Sequence, residues 1–271
     1  MLSPRHIFED NIRPADLLLK VFRLLEHDAP NTETGVLQTL RELVKADHDE
    51  GLMVIYNEVF LGLIRERAEI APKLVRKSAL CNLLRQAVVI ACTGLETYLP
   101  AVMNTHFEEL IKVKGRSFLN VKDKELLGHL SAIKFDLQDA IRLLSDPDTL
   151  FVANKVRLYL ETKLSGRRGV HVVGVLFGVD DPWAEIGSKL NRKPTELGKL
   201  LEDTVGRRND IVHRADRNKT DLGGEQQSIA PAFAMQAVDT IRHVVTCLDD
   251  LIQEQMRNLR AMAASLPQGA A

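Results

Sequence analysis

The residues best suited to chemistry lie in one short stretch, VGRRNDIVHRADRN, at positions 205–218. Arg208, Asn209 and His213 fall within six consecutive positions of it. Histidine can donate or accept a proton near neutral pH, asparagine carries donors and an acceptor, and arginine is a fixed cation with a planar fork of donors. Such a set is suited to acid–base chemistry beside a developing negative charge.

The element that must position these residues is a helix that begins at Pro194 or Thr195. At about 100° per residue its core-facing side chains form one stripe, and Arg208 falls near the centre of that stripe. The stripe consists of Leu197, Leu200, Leu201, Thr204, Val205, Ile211 and Val212. Because an unpaired buried guanidinium is costly, three arrangements are open: a carboxylate pairs with Arg208, the stripe faces a cleft or a partner subunit, or the side chain reaches solvent.

Glu96 is the carboxylate that the sequence offers to Arg208. It lies in the apolar segment LVRKSALCNLLRQAVVIACTGLETYLPAVM and is the only acidic residue between Glu69 and Glu108. A buried glutamate and a buried arginine are each costly alone and tolerable together. The two patterns therefore predict a Glu96–Arg208 pair.

Further contacts are predicted along the same helix. Asn209 and His213 are four residues apart and share a face, while Asp210 is spaced to support either His213 or Arg214. His213 lies near the predicted helix C-terminus, where the helix dipole favours a protonated imidazole. The alternative is a purely structural charged network with a capping or surface histidine.

The composition predicts an all-α protein, since aromatic residues are 5% of the 271 residues and Leu, Ala, Glu, Lys and Arg are abundant. With 36 basic against 37 acidic residues, nucleic acid or a membrane would have to be met by a local patch. The three cysteines show no C-x-x-C spacing, which favours reduced thiols in the cytoplasm. We find no export signal, apolar run of about 20 residues or metal-ligand cluster, and expect no membrane partner, metal or cofactor.

Helical periodicity and helix breakers predict the organisation of the chain. An N-terminal helical extension spans 1–72, a helical domain spans 73–266, and 267–271 form a disordered tail. The extension has helices at about 14–27, 31–43 and 52–70. The domain has helices at about 73–106, 122–131, 133–145, 148–164, 194–214 and 231–266.

Three segments of the domain depart from plain helix. Gly94 and Pro100 indicate a kink or short break in the first domain helix. The glycine-punctuated GRRGVHVVGVLFGVDDP, residues 166–182, predicts a small hairpin or an irregular loop. NKTDLGGEQQSIAP, residues 218–231, predicts a flexible polar connection.

RNDIVH, residues 208–213, resembles the R-x4-6-H signature of the HEPN superfamily, and GRRNDIVHRAD resembles its RiboL-PSP-HEPN-like branch. AVVIACTGLETYL, residues 87–99, resembles the early helix of that branch, whose acidic position is Glu96 here. The resemblance spans about residues 75–260 and implies a HEPN-like helical bundle. The N-terminal extension and a mid-chain insertion at about 115–192 fall outside the family core.

Active members of this family are metal-independent endoribonucleases. The resemblance therefore implies attack of a ribose 2′-OH on the adjacent phosphate, which leaves a 2′,3′-cyclic phosphate and a 5′-OH. His213 would act as base or acid, Arg208 would clamp the phosphate, Asn209 would position the 2′-OH or the phosphate, and Glu96 would orient Arg208 or His213. One motif supplies one histidine, so the resemblance also implies a homodimer with a composite active site.

Basic residues around the motif are predicted to bind RNA: Arg85, Arg207, Arg214 and Arg217. Arg167 and Arg168 would either grip RNA or lie in an exposed turn. The resemblance alone implies a defence or toxin-type effector with an antitoxin or defence-system partner. Two other functions stay open: a non-catalytic HEPN-like module that binds a nucleotide or a protein, and a helical scaffold whose 1–72 extension binds a partner.

Overall fold

The structure is a computed structural model of the chain and describes residues 2–25, 77–119, 122–145, 149–161, 164–218 and 220–265. The described residues form nine α-helices and a short 3-10 helix, Gly115–Leu119, so the all-α prediction is confirmed. The α-helices are α1 (Pro4–Leu25), α2 (Lys77–Lys114), α3 (Lys124–Ser131), α4 (Leu137–Ser145), α5 (Thr149–Glu161), α6 (Gly166–Leu176), α7 (Pro182–Lys189), α8 (Pro194–Arg214) and α9 (Pro231–Ser265). The predicted helices at 31–43 and 52–70 and the predicted tail at 267–271 lie outside the described residues.

Two helices run through the prolines that were expected to bound or break them. Helix α1 begins at Pro4 and contains Pro14, and α2 contains Pro100 and continues to Lys114. A proline inside a helix removes one backbone hydrogen bond and costs about 3 kcal/mol. Side chains on both sides of each proline are buried, Ile12 and Ala15 in α1 and Leu99 and Val102 in α2. Burial of these neighbours offsets the local cost and keeps each helix continuous.

The prediction of a hairpin or loop at 166–182 was wrong, because most of this segment is helix α6. Its glycines serve packing. A Cβ on Gly169 would lie 2.8 Å from Leu99 Cδ1, and one on Gly174 would lie 2.4 Å from Pro182 Cγ. The chain therefore uses glycine here to bring a helix close to its neighbours.

The polar segment after α8 is partly ordered as a hairpin, which differs from the predicted flexible connection. Strands β1 (Arg217–Asn218) and β2 (Asp221–Gln226) pair antiparallel, with Arg217 opposite Gln226 and an irregularity in register between Arg217 and Asn218. They are the only strands within the described ranges. The hairpin follows the helix that carries RNDIVH.

The chain divides into two compact units, each with its own core. The first unit comprises Met1–Ile12, Ala91–Arg207 and Asp239–Ala271, and the second comprises Arg13–Ile90 and Arg208–Val238. In the first unit, Phe8 packs edge-on against the buried Tyr98 at 6.1 Å between ring centres. The core of the second unit contains Phe22, Leu80, Leu84, Val88, Ile211, Ile229, Ala234 and Ala237. The predicted boundary between residues 72 and 73 stays a prediction.

Helix α2 is the most apolar long helix of the described residues. Its stretch Leu80–Lys114 has the length and composition to cross a membrane, but 56% of its most apolar window is buried inside the protein. A buried core helix has the same length and composition. The sequence predicts no membrane span because it has no uninterrupted apolar run of sufficient length, and α2 also lacks such a run.

Candidate functional site

The whole RNDIVH segment lies in the last two turns of α8. The predicted stripe is buried at Leu197, Leu201, Thr204 and Ile211, whose exposed fractions are 1%, 0%, 2% and 9%. Val212 differs from the prediction because it is 52% exposed. The buried stripe is therefore narrower at the end of the helix, where the Val212 side chain is exposed to solvent next to His213.

Arg208 is half-buried, and its guanidinium contacts the next residue of the motif. Its Nη1 donates to Asn209 Oδ1 at 3.0 Å. This hydrogen bond occupies the amide oxygen of Asn209, so the amide NH2 is the group that Asn209 can offer to a ligand. Arg208 and Asn209 thus form a hydrogen-bonded pair in which both side chains carry donor groups.

Asp210 pairs with Arg214, which is one of the two partners that the sequence left open. The two side chains form a close ion pair at i,i+4 spacing and are about one quarter exposed. Arg214 is in the last turn of α8, where the helix dipole favours a cation. His213, in the same turn, is exposed.

The turn after α8 uses two residues in the left-handed region, Ala215 at φ 48° and Asp216 at φ 62°. Asp216 N donates to Asp210 O at 2.9 Å, and Gln227 N donates to Asp216 O at 2.8 Å. These bonds take up backbone groups at the helix end and connect the turn to the residue that follows β2. Aspartate tolerates the left-handed conformation better than most residues, which suits Asp216 to this position.

Asp216 also binds Arg85 of α2, and both side chains are buried. Arg85 Nε donates to Asp216 Oδ2 at 2.7 Å, and Arg85 Nη2 donates to Gln227 O at 2.7 Å. The Arg85 and Asp216 side chains are 5% and 0% exposed. An RNA-binding arginine is expected to be exposed. The Arg85 guanidinium instead lies buried inside the second unit, where it makes its hydrogen bonds.

Asp216 is the residue that sequence reasoning missed. Two signals pointed to it: an acidic residue just past a helix C-terminus, where the dipole disfavours an anion, and an arginine on an apolar segment of α2. The sequence predicted a carboxylate partner, Glu96, for Arg208 and none for Arg85.

The remaining predicted residues lie as follows. Glu96 is half-buried in the first unit, where its Oε1 accepts from Ser165 Oγ at 3.5 Å. Arg207 is half-buried on α8, and Arg217 is half-buried in β1. The Glu96–Arg208 pair and the RNA contacts of Arg207, Arg214 and Arg217 stay predictions.

The described residues contain no group of three or more His, Cys, Asp and Glu side chains that could hold a metal ion. Cys81, Cys92 and Cys247 are all free thiols, and the last two are buried. The arrangement at the end of α8 is thus an exposed histidine, a half-buried arginine–asparagine unit and a paired aspartate. Its groups can transfer a proton and bind an anion.

No family model, curated protein or solved structure matches this chain. The resemblance to HEPN proteins rests on the residues of RNDIVH and of AVVIACTGLETYL.

Proposed function

We propose that the protein is a cytoplasmic, metal-independent endoribonuclease of the HEPN type. The observation that carries the proposal is the Arg208–Asn209 hydrogen bond on α8, with His213 exposed near the end of the same helix. Arg208 and His213 are five positions apart, which is about 7.5 Å along a helix axis and about 140° around it. We propose that both side chains contact one scissile phosphate group and its neighbouring ribose.

Each residue has a chemical role in cleavage. His213 removes the proton from the ribose 2′-OH, whose oxygen attacks the adjacent phosphorus and displaces the 5′-oxygen of the next nucleotide. Arg208 balances the negative charge that develops on the phosphoryl oxygens, and the Asn209 amide donates to one of them. The products are a 2′,3′-cyclic phosphate and a 5′-OH. Glu96 belongs to the proposal as a positioning residue on the strength of the resemblance alone.

A second proton-transfer group must protonate the departing 5′-oxygen. We propose that His213 of a second copy supplies it, in a homodimer whose two motifs form a composite site. The homodimer is proposed from the resemblance, and Val212, which is exposed beside His213, is the apolar residue of the motif at which it can be tested. A role in defence, with an antitoxin or defence-system partner, is proposed from the resemblance alone.

The test is cleavage of total RNA by the purified chain in EDTA, with His213→Ala and Arg208→Ala variants. Matched controls replace exposed residues outside the motif, His243→Ala and Arg257→Ala, both on α9. We expect cleavage by the parent and both controls, and a loss of about 100-fold or more in each motif variant at unchanged thermal stability. Equal cleavage by His213→Ala and the parent would refute the proposal.

The second candidate function is a non-catalytic module that binds a nucleotide or a protein through the same surface. Val212, which is exposed between the buried Ile211 and the exposed His213, is the apolar residue of the motif that a partner could contact. In this case no RNA is cut by any variant in EDTA or with Mg²⁺, and Val212→Glu abolishes binding of the partner. The cleavage assay therefore separates the two functions.

A further inference from the structure

A cavity of about 570 Å³ in the first unit has no role in the proposed ribonuclease. Its apolar wall consists of Phe118, Val175, Leu176 and Val179. Leu176 and Val179 are buried, and Phe118 packs edge-on against the buried Phe107 with 5.6 Å between ring centres. The volume falls within the roughly 300–1,000 Å³ of small-molecule sites. The cavity can therefore hold an organic ligand and offer apolar contacts to it.

Lys114, the last residue of α2, brings an amine to this cavity. Its Nζ lies 3.7 Å from the position that a Cβ on Gly178 would occupy. Gly178 has a φ of 94°, which side chains rarely adopt, and its missing Cβ leaves open space beside the amine. The Lys114 side chain is half-buried, but its Nζ stays accessible to solvent. A ligand in the cavity can therefore reach this amine.

The Lys114 amine makes no ion pair or hydrogen bond within the described residues. Burial lowers the pKa of this amine, and no neighbouring acid in the described part of the chain counteracts the effect. Asp123 lies in the cavity wall but contacts other groups, since its Oδ2 lies 3.0 Å from His171 Nε2 and its Oδ1 accepts from Leu126 N at 2.8 Å. A half-buried charge without a partner is costly, so an anionic ligand at Lys114 would be stabilised.

The charges of the cavity decide which anion fits it. Lys122 and Asp180 are both exposed and offset each other. Lys114 offers one positive charge in a half-buried setting, and a carboxylate carries one negative charge. A phosphate monoester carries about −1.5 to −2 at neutral pH, and its excess charge would lie beside a wall that also contains Asp123 and Asp180. The cavity therefore fits a monocarboxylate better than a phosphate.

We propose that this cavity binds an apolar monocarboxylate, whose carboxylate contacts the Lys114 amine and whose hydrocarbon part lies against Phe118, Val175 and Val179. The amine donates to the carboxylate oxygens, and the apolar wall removes the hydrocarbon part from water. The site needs neither His213 nor RNA cleavage. The proposal therefore stands or falls independently of the ribonuclease.

The experiment titrates the full chain with octanoate and follows binding by calorimetry. Three comparison ligands each change one property: octanamide lacks the charge, acetate lacks the hydrocarbon part, and octyl phosphate carries more charge. Lys114→Met is the test variant, because methionine keeps an unbranched stem and removes the charge. Replacement of an unpaired half-buried charge by an apolar side chain preserves the fold. Lys112→Met is the matched control, at a lysine of the same helix that is 56% exposed.

We expect octanoate to bind at least ~10-fold more tightly than each of the three comparison ligands. Lys114→Met should weaken octanoate binding by ~10-fold or more, because it removes the cation that pairs with the carboxylate. The same variant should leave octanamide binding unchanged, since octanamide has no charge to pair. Lys112→Met should bind octanoate as the parent does.

A second measurement locates the ligand on the parent chain. Lysine amines are acetylated with acetic anhydride in the presence and absence of saturating octanoate, and the modified positions are identified by mass spectrometry. Octanoate should slow the modification of Lys114 by ~10-fold or more, because a bound carboxylate covers its amine. Modification of Lys112 should proceed at the same rate with and without octanoate.

Four results would overturn the proposal. The first is no binding of octanoate, and the second is octanamide that binds as tightly as octanoate. The third is octyl phosphate that binds more tightly than octanoate, which would make the cavity a phosphate site. The fourth is parental affinity in Lys114→Met, or equal protection of Lys112 and Lys114 from acetylation, which would place the ligand elsewhere.

Discussion

Arg85 and Asp216 show at the scale of single residues how the end of the motif helix is fixed. Their buried ion pair links α2 to the turn that follows RNDIVH, and the guanidinium also donates to Gln227 O and to Asn82 Oδ1. Loss of one partner from a buried pair leaves an uncompensated charge in the core. The pair therefore contributes to the placement of His213 although neither residue contacts a substrate.

Asp216→Asn tests this pair because asparagine keeps the shape and tolerates the left-handed backbone of Asp216. We expect a loss of about 3 kcal/mol in the free energy of unfolding, measured by urea denaturation. Asp239→Asn is the matched control, since Asp239 is 60% exposed and lies 3.7 Å from Arg242. Its loss should stay below about 1 kcal/mol. Equal losses in the two variants would show that the buried pair is energetically unimportant.

His106 provides a prediction about pH. Burial lowers the pKa of His106 from its ordinary value of 6.5, and Gln253 Nε2 lies 3.2 Å from its ring Nε2. The unfolded chain therefore binds a proton at His106 before the folded chain does as the pH falls. The stability contributed by neutral His106 is complete above pH 6.5 and is lost progressively below it.

His106→Gln should remove this part of the pH dependence. We expect the parent to lose more free energy of unfolding than His106→Gln between pH 7.5 and pH 5.5, each about one unit from the 6.5 reference value. Denaturant titrations at both pH values measure the difference, and His243→Gln is the exposed-histidine control. A parent and a His106→Gln variant with parallel pH dependences would contradict the argument.

At the scale of elements, the glycines of α6 have a packing role that cannot be recognised from the sequence. The sequence predicted α3, α4, α5, α8 and α9 to within about four residues, because their apolar spacing is regular. It placed the start of α1 about ten residues late and the end of α2 about eight residues early, and it did not predict α7. It failed at α6 because glycine and valine are poor helix formers. Tight packing at Gly169 and Gly174 decides that helix, and packing between distant elements is not encoded in local periodicity.

Gly174→Ala should destabilise the protein although alanine favours helix. The new Cβ would lie 2.4 Å from Pro182 Cγ and 2.7 Å from Pro182 Cβ, within a ring that cannot rotate away. We expect a net loss of about 1–3 kcal/mol by thermal or urea unfolding. Gly128→Ala in α3 is the control, because nothing lies within 4 Å of its added Cβ. It should be neutral or stabilising by up to about 1 kcal/mol, and a stabilised Gly174→Ala would contradict the packing argument.

At the scale of the whole molecule, both units are built from segments that are distant in sequence. Phe8 of α1 packs in the first unit and Phe22 of α1 packs in the second, so α1 contributes to two cores. Arg85 and Asp216 are 131 positions apart, and periodicity identifies the face of one helix without identifying its neighbour. For this reason the motif could be recognised in the sequence, but the residues of other elements that contact it could not.

Val212→Glu tests the proposed homodimer. Val212 is 52% exposed, so a glutamate there leaves the folded chain intact and places a charge beside His213. We expect light scattering to give twice the 30.3 kDa chain mass for the parent and the single mass for Val212→Glu, with loss of RNA cleavage. Met262→Glu, at a residue 67% exposed on α9, should remain dimeric. A dimeric and active Val212→Glu would exclude the motif surface as the interface.

The most direct test of the proposed ribonuclease is the chemistry of its product ends. A short RNA is incubated with the protein in EDTA, beside the same RNA with one 2′-deoxy nucleotide at the cleavage position, and the fragments are identified by mass spectrometry. The proposed mechanism predicts 2′,3′-cyclic phosphate and 5′-OH ends, no cut at the 2′-deoxy position, and no fragments with His213→Ala. Fragments with 5′-phosphate and 3′-OH ends, or cleavage at the 2′-deoxy position, would contradict it.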